Sequence, residues 1–182
     1  GATVRNCRVH NTPHDAIRLK YDDTISTIEK NEVYNAVNDT YDAGAIYCGA
    51  SYFEGVGSVF KNNYIHDIRL SKDARGGAVV GLYLDDQMSG VTAEGNIFAD
   101  NAFCMLVGGG DWNTIKNNVF YKSNASLTYD NRGQGWQKLA DGSAKKNFYD
   151  EKIGVGNYLW DERFPYTKTY YEYLKANDMD KV

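Results

Sequence analysis

TIKNNVF, residues 114–120, repeats the pattern of TAEGNIF at 92–98, and the same pattern recurs earlier as VFKNNYI (59–65), TIEKNEV (27–33) and TVRNCRV (3–9). Each copy opens on a small or β-branched residue and an apolar one, passes through polar residues around an asparagine, and ends apolar. Aligned on that asparagine, the copies form a column of Asn31, Asn63, Asn96 and Asn118, with Cys7 in the first copy. Successive spacings are 24, 32, 33 and 22 residues. After a gap, each copy is followed by a second segment: AIRLK (16–20), AIYCG (45–49), GLYLD (81–85), CMLVG (104–108) and SLTYD (126–130). Their apolar residues alternate as Ile17/Leu19, Ile46/Cys48, Leu82/Leu84, Met105/Val107 and Leu127/Tyr129, and period two means strands.

A unit this short cannot bury an apolar face alone, so it must stack on its neighbours. The expected fold is therefore all-β: a right-handed parallel β-helix of about five coils over residues 1–132. Leucine-rich repeats share the period, but their run of leucines is missing. Asparagine suits one corner of such a stack, because it tolerates the left-handed backbone and its amide can bond from rung to rung. The longer spacings place inserted loops at about 35–44, 50–57 and 68–79, and insertions in a solenoid build its binding face.

Residues 133–182 break the pattern and are dense in aromatics, Trp136, Phe148, Tyr158, Trp160 and Tyr170 among them. They read as an irregular segment covering the open end and flank, with a short helix over 167–175. The chain begins inside a repeat, so missing N-terminal coils or a partner chain are expected to cover the first rung.

Composition narrows the function. A net charge of -4 argues against nucleic acid or an anionic membrane as partner. No apolar run approaches the roughly 20 residues of a membrane span, so a soluble protein is expected, secreted or periplasmic and without a signal peptide in the chain. Cys7, Cys48 and Cys104 carry no CxxC spacing and read as buried free thiols rather than a metal site. No metal or other cofactor is expected.

Chemistry is concentrated where GLYLDDQMSG (81–90) ends a strand in two carboxylates, Asp85 and Asp86. Stacking the second segments puts Arg18, Tyr47, Tyr83, Leu106 and Thr128 in one outward file. Lys20, Gly49, Asp85, Gly108 and Asp130 form the next. Asp85 then lies between two glycines, in a notch, and about 9.6 Å from Asp130 two rungs away. Tyr47, Tyr83 and Trp112 supply ring faces for the C–H face of a sugar. An acidic strand end can also serve only to keep an edge soluble. Asp42, in YDAGAIY, is a turn residue by spacing; to pair with Asp85 or Asp86 it requires a bend at Gly44. His66-Asp67 and His14-Asp15 are neighbours on opposite faces of extended chain, which favours structural or substrate-bonding histidines over general bases. Gly108-Gly109-Gly110 lacks the residues of a phosphate loop.

DAGAIY (42–47), NNYIHDI (62–68), GLYLDDQMSG (81–90), GNIF (95–98), VGGGDWNTIKNNVF (107–120) and DNRGQGW (130–136) together resemble a group of bacterial right-handed β-helix proteins related to glycoside hydrolase family 141. The resemblance covers about residues 1–140. It implies a fucosidase- or xylanase-like hydrolase acting on plant cell-wall glycans through two aspartates, which fall here on Asp42 and either Asp85 or Asp86. Tyr47, Tyr83, His66, Asp111, Trp112 and Asp130 are the expected substrate contacts. This chain departs from the group by lacking its earlier coils. Two other readings stand beside it: a polysaccharide lyase, which would use Ca²⁺ with Lys20 or Arg75 as base, and a non-catalytic carbohydrate-binding β-helix.

Overall fold

A computed structural model describes residues 1–20, 25–49, 55, 57–72, 77–110, 112–132 and 162. The helix expected at 167–175, the rest of the aromatic segment, and Asp111 and Arg75 lie outside the described residues. The chain divides into two compact units, Gly1–Asp130 and Asn131–Val182.

The first unit is five coils of three strands each. Coil 1 holds β1 (Thr3–Arg5), β2 (Arg8–His10) and β3 (Ile17–Lys20); coil 2 holds β4 (Thr27–Glu29), β5 (Glu32–Tyr34) and β6 (Ala43–Gly49). Coil 3 holds β7 (Val59–Lys61), β8 (Tyr64–His66) and β9 (Val79–Asp85); coil 4 holds β10 (Thr92–Glu94), β11 (Ile97–Ala99) and β12 (Phe103–Gly108). Coil 5 closes with β13 (Thr114–Lys116), β14 (Val119–Tyr121) and β15 (Ala125–Asp130). Equivalent strands pair in parallel into three five-stranded sheets: β1-β4-β7-β10-β13, β2-β5-β8-β11-β14 and β3-β6-β9-β12-β15. This is the parallel β-helix that the repeat predicts.

The corner between the first two sheets turns on one residue with positive φ per coil: Asn6, Lys30, Asn62, Gly95 and Asn117. The left-handed residue is thus one position before the asparagine column, and the column residues have a different task. Asn63 Oδ1 accepts both the Asn31 backbone N–H at 3.1 Å and Asn31 Nδ2 at 3.0 Å. Asn63 Nδ2 donates to the Ile28 carbonyl and to Asn96 Oδ1, both at 2.9 Å. Asn96 repeats the arrangement with Asn118 and Phe60. Each side chain thereby satisfies backbone groups that a sharp corner would leave unpaired. At Cys7 only the backbone N–H joins the column, donating to Asn31 Oδ1 at 3.0 Å.

The core fills with one inward residue from each three-residue strand, including Ile28, Phe60 and Ala93 from the first sheet and Val33, Ile65 and Phe98 from the second, and with alternate residues of the longer third-sheet strands, Ile46 and Cys48, Leu82 and Leu84, and Met105 and Val107 among them. In coil 5 the inward positions Leu127 and Tyr129 are exposed. The outer face of the second sheet carries a stack of parallel rings, His10 on Tyr34 on His66, with centroids 4.7 and 4.9 Å apart.

The cysteines divide two to one: Cys48 and Cys104 are buried in the core, whereas Cys7 is exposed, against the expectation that all three are buried. Cys7 stands at the corner of coil 1, where Val4 and Val9 are likewise only partly buried. Burial pushes the Cys48 thiol up to about 12 and raises that of Cys104, and the thiolate is the reactive species. A thiol reagent at neutral pH is therefore expected to label one cysteine of three in the native protein and all three after denaturation; native labelling of Cys48 would contradict the packing.

Candidate functional site

The third sheet gathers most of the residues singled out above. Arg18 pairs in register with Tyr47 and Tyr47 with Tyr83, then Tyr83 with Leu106 and Leu106 with Thr128. One file over, Lys20 pairs with Gly49, Gly49 with Asp85, and Gly108 with Asp130. The first expected file is therefore complete, and the second is paired on either side of the step from Asp85 to Gly108. The notch beside Asp85 is not open, however. A β-carbon at Gly49 would run into the Tyr47 phenol, so that ring occupies the space the missing side chain leaves. From there the Tyr47 hydroxyl donates to Asp85 Oδ2 at 2.7 Å. Asp85, placed outward by strand parity, is only 7% exposed.

Asp42 reaches the same neighbourhood through the bend its role requires. A β-carbon at Gly44 would sit 2.8 Å from the Tyr83 Cβ, so only glycine lets the chain pass so close. Asp42 itself takes a positive φ of 55°, a conformation aspartate adopts at lower cost than most residues. Its Oδ1 accepts the Tyr83 hydroxyl at 3.1 Å. Tyr47 and Tyr83 then meet edge to face, with centroids 5.4 Å apart and planes at 78°. The tyrosine pair thereby links the two carboxylates.

Both tyrosines are buried, Tyr47 at 8% and Tyr83 at 3% exposure, in a small outer cluster with Val80 and Leu106. Burial pushes the Tyr47 phenol well above its usual value, and the hydrogen bond to Asp85 and the charges of Asp85 and Asp86 add to the rise. Arg18, whose guanidinium carbon lies 4.5 Å from the Tyr47 ring centroid, opposes it. Tyr47 therefore acts here as a hydrogen-bond donor.

Asp86 is exposed and lies, with Gln87, in two consecutive residues of positive φ just after β9. Trp112 is exposed in the loop after β12, and Asp130 is half-buried at the end of β15. His66 is not brought to this sheet. It sits on β8 in the second sheet, its Nδ1 2.8 Å from Asp67 Oδ2 and its ring between those of Tyr34 and Tyr64. The expectation that neighbours on a strand diverge fails for this pair, because Asp67 has a positive φ of 53° and turns back at the corner.

Sequence reasoning passed over the contacts of Asp15 and Arg18. Arg18 Nη1 donates to Asp15 Oδ2 at 2.8 Å, and the Gly44 N–H donates to Asp15 Oδ1 at 3.0 Å. The only signal was the acid three residues before the arginine, which strand parity separates unless a corner intervenes. Among the described residues no group of three histidine, cysteine or acidic side chains could hold a metal ion. No helix among them is long and apolar enough to cross a membrane.

The family model for a right handed beta helix region matches residues 1–138. No curated protein and no solved structure matches the chain. A match over that span, with three parallel sheets beneath it, means that the chain belongs to the right-handed β-helix family.

Proposed function

We propose that this protein hydrolyses glycosidic bonds in an uncharged polysaccharide, outside the cytosol, with Asp42 and the Asp85-Asp86 end of β9 supplying the reacting carboxylates. The observation that carries the reading is the pairing of each acid with its own tyrosine, Asp42 with Tyr83 and Asp85 with Tyr47, in one edge-to-face unit. A phenol that donates to one carboxylate oxygen fixes the rotamer and directs the other oxygen, which is the positioning that acid and nucleophile or base roles need. Asp42 and Asp86 are the exposed members and are assigned the contact with the scissile bond; Asp85, the buried neighbour of Asp86, anchors the end of β9 to Tyr47. Trp112 and Asp130 flank the site as sugar contacts.

Charge argues for a neutral glycan over a uronate. Against Asp42, Asp85, Asp86 and Asp130 stand Arg18, already held by Asp15, and Lys20, two rungs from Asp85, so a polyanionic chain would meet net repulsion. A lyase would need a cationic base and a bound cation; of the candidate bases, Lys20 ends β3 in register with Gly49, and Arg75 lies outside the described residues.

The test uses the polypeptide that carries this chain, incubated with neutral hemicelluloses and, separately, polygalacturonate. Release of reducing ends from the neutral glycans is expected, with Asp42→Asn lowering kcat by about 100-fold or more. Unaltered turnover removes Asp42 from the reaction, and an unsaturated product from polygalacturonate replaces the hydrolase with a lyase. The burial of Tyr47, Tyr83 and Asp85 favours a second reading, a glycan-binding module whose tyrosines are braces. Oligosaccharide binding without turnover by the parent protein would establish that reading instead.

A further inference from the structure

Asp15 stands at the corner just before β3, and its side chain is 3% exposed. Its two oxygens serve two different neighbours: Oδ1 accepts the Gly44 N–H at 3.0 Å, and Oδ2 accepts from Arg18 Nη1 at 2.8 Å. His14 Nδ1 also lies 3.1 Å from Oδ2. The adjacent Ala16 N–H donates to the Ala45 carbonyl at 3.0 Å, so coil 1 grips the bend of β6 at two points. From the other side, the Ala43 N–H donates to the Ala78 carbonyl at 3.1 Å.

A buried carboxylate is costly unless its oxygens are bonded. Here the bonds that offset that cost lead to both halves of the site. The Gly44 peptide lies two residues from Asp42, at the bend that brings Asp42 to Tyr83. Arg18 lies against the face of Tyr47, whose hydroxyl holds Asp85.

We propose that Asp15 is a positioning residue that sets both acid arms at once, fixing the Gly44 bend for Asp42 through one oxygen and the Arg18-Tyr47-Asp85 chain through the other. Its kinetic consequence rests on the hydrolase reading; its structural consequence does not.

Asp15→Ala removes both bonds, whereas Asp15→Asn keeps an oxygen for the Gly44 N–H and loses the charge that holds Arg18. Amide hydrogen exchange at Gly44 is expected to be about tenfold faster or more in Asp15→Ala and near the parent rate in Asp15→Asn. On the glycan that the parent hydrolyses, Asp15→Ala is expected to lower kcat about 100-fold with little change in KM, and Asp15→Asn to recover about tenfold of that loss. Gly44 exchange unchanged in Asp15→Ala overturns the proposal whatever the kinetics show. If the parent turns over no glycan, the hydrolase reading fails and the exchange result alone decides the role of Asp15. Should Asp15→Ala not fold, Arg18→Gln isolates the second arm. The Tyr47 ring ¹³C resonances are then expected to shift while Gly44 exchange stays fixed, and an unmoved Tyr47 signal is equally fatal to the coupling.

Discussion

Alanine at Asn63 is expected to lower the unfolding free energy by about 4 kcal/mol, a large share of what holds a domain of this size folded. The side chain is fully buried and makes four hydrogen bonds. Its removal leaves the Asn31 N–H, the Asn31 amide and the Ile28 carbonyl short of a partner where water does not reach, at about 1–3 kcal/mol for each group left unpaired. Asn118→Ala is the internal control. That residue is half-buried in the last described coil, so solvent can replace part of what is lost, and about 1 kcal/mol is expected. Urea midpoints of the two variants decide the matter; equal shifts would mean that the column contributes no more than surface asparagines do.

Phe98→Ala is expected to cost about 3–5 kcal/mol, the range for deleting a fully buried ring. Phe98 fills the centre of coil 4 and stacks on Phe120 at 5.4 Å. Phe120, its counterpart in coil 5, is only half-buried, and its truncation is expected to cost less than half as much. The contrast follows from stacking: among the described residues, Phe98 has a coil on either side and Phe120 on one. Matching midpoints for the two alanine variants would show that coil 5 is as well covered as coil 4.

Much of this was legible in the sequence because a stack turns periodicity into neighbourhood. Stacking the second segments on their apolar alternation placed Tyr47 beside Tyr83 and Gly49 beside Asp85, and the register agrees. Parity separated inward Ile46 and Leu82 from outward Tyr47 and Tyr83. It could not show that the outward pair is buried as well, because whatever lies over a sheet is not part of its repeat. The corners hid the rest. The left-handed residue precedes the asparagine column by one, since the turn needs a backbone conformation while the column needs an amide, and one residue need not provide both. The hold of Asp15 on Gly44 spans 29 residues between a corner and a bend, two places where straight-strand geometry carries no information. Likewise the bend that lets Asp42 meet Tyr83 depends on the absence of a side chain at Gly44, which a list of functional residue types would not pick out.

The asparagine column also makes the molecule mechanically unequal in different directions. Its bonds, like those of all three sheets, run along the stacking axis from each coil to the next. Tension applied along that axis would load successive coil junctions in series and peel them one at a time at modest force. Tension applied across a single coil would instead shear many bonds together. A protein built this way resists being pulled across a coil far better than being drawn out along its stack.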